Sequence, residues 1–102
     1  MRKISYKPGV KLNGVQSELA AALPVIASCY HSLDYDCIYT SVCDGVHSAN
    51  SLHYVGLAVD CRTRHLRTAH IRDIADLIED ALGNDWDVVV ESDHIHVEFD
   101  PD

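Results

Sequence analysis

The chain has 102 residues, 47% of them apolar and 24% charged, which fits one globular domain with a single modest core. Its formal charge of −8 argues against a nucleic-acid partner, because phosphate backbones call for clustered Lys and Arg. No apolar run is long enough to span a bilayer, so no membrane partner is expected.

Residues 1–15 read as an irregular N-terminal arm containing Pro8, Gly9 and Gly14. The opening Met1-Arg2-Lys3-Ile4 is basic but has no apolar core behind it. The expectation is therefore cytoplasmic synthesis without a signal peptide. From Ser17 to about Ser32, Leu19, Leu23, Ile26 and Tyr30 follow helical spacing, and Pro24 must kink that helix or mark its true start. Asp36 to Val42 has β composition around Ile38, Tyr39 and Thr40. A polar loop follows from Cys43 to Ser51, with Asp44-Gly45 and His47-Ser48, and Gly56 to Cys61 reads as a second strand. A helix from about Thr68 to Leu82 places Ile71, Ile74, Ile78 and Leu82 on one stripe, and Gly83 is positioned to stop it. Trp86 to Glu91 and His94 to Phe99 are the last two strands, and Ser92-Asp93 is short enough to join them as a hairpin. Two helices against a small, mainly antiparallel sheet of about four strands give an α+β class in one domain, residues 1–102.

Two smaller features have plain readings. Cys29, Cys37, Cys43 and Cys61 show no CxxC spacing and read as reduced, mostly buried thiols, although the sequence leaves disulfides open. Arg62, Arg64, Arg67 and Arg72, interleaved with His65 and His70, form a local basic patch that could meet an anionic substrate group. For most of its members a solvated loop and helix start is the simpler account.

The chemistry concentrates in two histidine clusters, Ser51-Leu52-His53-Tyr54 running on to Asp60, and Asp93-His94-Ile95-His96. Histidine and carboxylate are ligands for a borderline divalent metal such as zinc. Alternation in the last strand sends His94, His96 and Glu98 to one face and Ile95, Val97 and Phe99 to the other. In the earlier strand Asp60 shares a face with Ala58 and Arg62. Neighbouring strands would thus aim Asp60 and His96 at one point, with His53 reaching it from the preceding loop. A single histidine is more often a satisfied polar residue than a ligand, and His47 reads as a loop residue on that ground.

Ser-x-His-x-x-Gly-x-Ala-x-Asp, here Ser51 to Asp60, followed by Asp-His-x-His, here Asp93 to His96, resembles a zinc-dependent peptidase family. That family includes D-alanyl-D-alanine carboxypeptidases, D-Ala-D-Ala dipeptidases and bacteriophage L-alanyl-D-glutamate endolysins. Both motifs stand in the family's order after a Thr40-Ser41 strand end, and the likeness spans roughly Glu18 to Phe99. The first motif is fairly specific, whereas an HxH alone is weak. The resemblance implies a D-Ala-D-Ala peptidase-like fold, which the hedgehog signalling domain also uses. It implies His53, Asp60 and His96 as Zn2+ ligands, Asp93 as the acid/base and His94 as a helper to the polarised carbonyl. Ser51 and Tyr54 would lie at the rim of the site. Many members carry an arginine just after the Thr-Ser strand end; here Asp44 stands near that place, and Arg62 or Arg64 would have to bind substrate instead.

The expected function is zinc-dependent hydrolysis of peptidoglycan stem peptides, by carboxypeptidase or endopeptidase action of a monomer. A phage or prophage product would act on the cell wall after lysis-linked release or virion delivery. The alternative is a zinc-containing binding or virion structural module of the same fold without turnover.

Overall fold

The computed structural model describes residues 2–42 and 57–101. In chain order the elements are β1 (Ile4–Tyr6), α1 (Ser17–Ser32), β2 (Cys37–Ser41), β3 (Ala58–Arg62), α2 (Thr68–Leu82), β4 (Trp86–Val90) and β5 (His94–Phe99). The class is α+β, with two helices and one five-stranded sheet in the order β1-β2-β3-β5-β4. All of its pairings are antiparallel except β1 with β2.

Strand alternation divides the sheet into two chemically different faces. Cys37 and Tyr39 of β2, Val59 and Cys61 of β3, and Ile95 and Val97 of β5 are fully buried. Onto this face α1 packs Leu19, Ala22, Leu23, Ile26, Ala27 and Tyr30, and α2 packs Ile74, Ala75 and Ile78. Both helices therefore cover the apolar face. The intervening residues Thr40, Asp60, Arg62, His94, His96 and Glu98 remain half-buried on the opposite face. Two buried tyrosines stitch the layers together, Tyr30 Oη donating to the Arg62 carbonyl at 2.8 Å and Tyr39 Oη to the Leu23 carbonyl.

α1 begins at Ser17 and runs through Pro24, so the proline lies inside the helix rather than at its start. A proline cannot donate to the carbonyl four residues back, which here belongs to Ala20. Pro24 and Ala20 are both exposed, so water can satisfy that carbonyl. α2 ends at Gly83, whose φ of +88° favours glycine and whose N–H donates to the Glu79 carbonyl at 3.0 Å.

The sheet has five strands rather than about four, because the N-terminal arm contains β1. All three β1 residues are exposed, so they carry no burial periodicity to read. The strand is held by backbone pairing: Cys37 N–H to the Lys3 carbonyl at 2.9 Å and Lys7 N–H to the Tyr39 carbonyl at 2.8 Å. Lys3 N–H reaches Asp36 Oδ1 at 2.9 Å, and Arg2 Nε pairs with Asp34 Oδ1 at 2.8 Å. Between β2 and β3 the register shifts after Tyr39↔Cys61, so that Ser41 rather than Thr40 opposes Asp60. Such a bulge bends a strand and re-aims its side chains.

Cys29, Cys37 and Cys61 are buried free thiols, and Cys43 lies outside the described residues. Burial pushes Cys37 up to about 12 and Cys61 well above the usual thiol value. At neutral pH these groups are small hydrophobes, not nucleophiles. Among the described residues no helix is long and apolar enough to cross a membrane.

Candidate functional site

The half-buried face of β3 and β5 carries several of the side chains singled out from sequence, in direct cross-strand register. Asp60 opposes His96, Arg62 opposes His94, and Ala58 opposes Glu98. The side chains form a row of alternating acid and imidazole. Asp93 Oδ1 lies 2.7 Å from His94 Nδ1, and His94 Nε2 lies 3.6 Å from Asp60 Oδ1. The same Asp60 oxygen is 2.8 Å from His96 Nδ1, and His96 Nε2 is 2.9 Å from Glu98 Oε1.

This row sets the protonation of its members. Both His96 ring nitrogens face carboxylates, and the bond to Asp60 raises its pKa against the opposing effect of burial, with Glu98 adding to the rise. The doubly protonated ring satisfies both acceptors at once. Asp93 is exposed, and its bond to His94 holds its carboxyl below the usual range. The Asp93 carbonyl also accepts from Thr63 N–H at 3.4 Å, which ties the β4–β5 turn to the end of β3.

Beside the row lies an open cleft of about 430 Å³, lined by Lys7, Thr40, Ser41, Asp60, Arg62, Arg64, Asp93 and His94. The basic patch expected around Arg62 to Arg72 divides among several places. Arg62 and Arg64 line the cleft, whereas Arg72 pairs with Asp76 at 3.2 Å on the solvent side of α2. His65 Nε2 meets the Asp36 carbonyl at 2.8 Å, and His70 Nδ1 meets Tyr35 Oη at 2.6 Å, both away from the row.

Of the residues singled out from sequence, Asp60, Arg62, Asp93, His94 and His96 come together here. His53, Ser51 and Tyr54 lie outside the described residues, as do Asp44 and His47. Two participants were not selected beforehand. Glu98 was on the right face by alternation, but period two gives a face and not a bonding partner. Lys7 belongs to the N-terminal arm, whose exposed residues carry no burial pattern that would have pointed to it.

The donor set suits a borderline metal. Two ligands on a tetrahedral zinc stand about 3.3 Å apart, so widening the Asp60–His96 pair by about half an ångström would admit the ion. Glu98 would keep the second His96 nitrogen, the carboxylate–histidine arrangement that orients metal-bound imidazoles. Among the described residues, the three side chains that already lie close enough to share one ion are instead Asp87, Glu98 and Asp100. They form an all-oxygen group at the sheet edge in which Asp87 raises the Asp100 pKa, and oxygen donors alone are no evidence of zinc. Compared with known proteins, the chain matches no family model and no curated protein.

Proposed function

We propose that the chain is a zinc-dependent metallopeptidase that hydrolyses peptide bonds of peptidoglycan stem peptides. The reading rests on one observation: Asp60 and His96 pair across β3 and β5, with His94 and Asp93 beside them on the edge of an open polar cleft. His53 would be the third ligand. On this reading the two-helix, one-sheet layout is the architecture of D-Ala-D-Ala peptidases and of the hedgehog signalling domain.

Bound zinc would supply Lewis-acid polarisation of the scissile carbonyl and acidify a water. Asp93, at the mouth of the cleft, takes the proton of the attacking water and returns it to the leaving amine. His94 is oriented by Asp93 through Nδ1, which leaves Nε2 directed toward Asp60. From there Nε2 would donate to the developing oxyanion. The wall of Arg62 and Arg64 attracts the anionic groups of a stem peptide.

The test is release of amino groups or free D-Ala from purified peptidoglycan by the zinc-loaded protein. Wild type should clear the substrate and Asp93→Ala should lose at least a hundredfold in rate, in line with a positioned acid/base contributing about 10²–10⁴. Equal, negligible release by both would remove the enzyme reading.

One observation favours a second reading, a zinc-containing binding module without turnover. Asp93 is tied to His94 and made less basic by it. Stoichiometric zinc with wall-fragment binding but no cleavage of any stem-peptide chemotype would select this alternative.

A further inference from the structure

The cleft has a feature that metal chemistry does not use. Three cations, Lys7, Arg62 and Arg64, converge on it in a chain whose formal charge is −8. Among the described residues, none of the three side chains forms an ion pair with a carboxylate. Elsewhere Arg2 and Arg72 both have acidic partners. The cations come from separate parts of the sheet: Lys7 just after β1, Arg62 at the end of β3 and Arg64 in the turn that follows.

Lys7 is placed by backbone and not by chance. Its N–H bonds to the Tyr39 carbonyl at 2.8 Å, continuing the β1–β2 ladder, and the exposed Tyr6 lies in register with buried Tyr39, their rings tilted and 5.5 Å apart. Alternation then puts the Lys7 side chain on the open face, above Thr40 and Ser41. Strands are about 4.8 Å apart, so a group held between Lys7 and Arg62 lies over β2, about 5 Å from the β3 backbone that carries Asp60. An extended peptide rises about 3.3 Å per residue, which makes that distance one to two residues.

We infer that Lys7, together with Arg62 and Arg64, is a receptor for a free carboxylate carried by the substrate residue next to the scissile bond. The inference rests on the peptidase reading for its substrate, but the receptor itself needs no metal. It gives the N-terminal strand a role in specificity. In a stem peptide with lysine as its third residue two groups qualify, the terminal D-Ala carboxylate and the free carboxylate of D-Glu.

The experiment measures affinity by calorimetry on the zinc-free full chain, where turnover does not interfere. Three probes are compared: a stem pentapeptide, its C-terminal amide, and the pentapeptide with D-Glu amidated to D-isoglutamine. Wild type should prefer the free acid over one of the two amides by about fivefold to tenfold, the scale of a charge-assisted contact in a partly solvated site, and that amide identifies the carboxylate. Lys7→Gln should reduce the preference to about twofold, and Lys7→Arg should keep most of it. No preference in wild type, or equal weakening of acid and amides in Lys7→Gln, overturns the receptor. A Lys7-dependent preference without any peptidoglycan cleavage sinks the peptidase reading and leaves the receptor standing. Cleavage without such a preference does the reverse.

Discussion

Asp60 Oδ1 serves two imidazoles, at 2.8 Å from His96 and 3.6 Å from His94, and its removal should be felt first at His96. The bond to Asp60 lifts the His96 pKa above 6.5 in the zinc-free protein. Because the folded value lies above the unfolded one, the imidazolium adds stability that is fully present below 6.5 and is lost as pH rises through the raised value. An NMR titration of zinc-free protein should therefore place His96 above an ordinary histidine, and Asp60→Asn should bring it down. An unmoved His96 would show that Asp60 does not govern it. Zinc held by His96, as proposed, would have to displace the same proton, so its affinity should fall as pH drops through that value. The residues behind this argument were legible because alternation in His94–Phe99 and Ala58–Arg62 fixes which side chains share a face. The partners were not. Whether His96 meets Glu98, or His94 meets Asp93, depends on rotamers that a period-two pattern does not contain.

At the scale of elements, the arm that carries Lys7 depends on an exposed link, Arg2 to Asp34, together with backbone pairing to β2. The Arg2 guanidinium holds the Asp34 carboxyl below its ordinary value of 3.8. A depressed folded value means that the contribution is present above 3.8 and is lost as pH falls through the lowered value. Arg2→Gln should return Asp34 to an ordinary titration and speed hydrogen exchange at Cys37 N–H, which bonds to the Lys3 carbonyl. Unchanged exchange there would mean that backbone pairing alone holds β1. Elements with strong periodic burial were readable from sequence: α2 spans Thr68–Leu82, and β5 spans His94–Phe99. β1 was not, since its three exposed residues gain order from β2 rather than from their own pattern. Nor was the bulge at Ser41, because register is a property of two strands and the pattern of either one alone is silent on it.

The whole molecule puts its apolar core and its acid–imidazole row on opposite faces of one sheet. Ile95 and His96 are neighbours in β5, yet one is fully buried under the helices and the other lines the acid–imidazole row. Ile95→Ala should cost about 2–5 kcal/mol through lost contacts and a residual cavity, a large part of the stability of a small domain. Metal binding acts on a different term, because a ligand that binds only the folded state adds stability by mass action. At zinc a hundredfold above Kd the gain is about 2.7 kcal/mol, and for a domain of this size that is a Tm rise of roughly 10–20 °C. Thermal scans with and without zinc should thus separate the two faces. His96→Gln should leave the zinc-free Tm within a few degrees and abolish the rise, whereas Ile95→Ala should lower the zinc-free Tm and keep the rise. A wild-type Tm that does not move with zinc would remove the metal from the site, and the peptidase reading with it. The Lys7 receptor would stand, because its three cations do not depend on the ion.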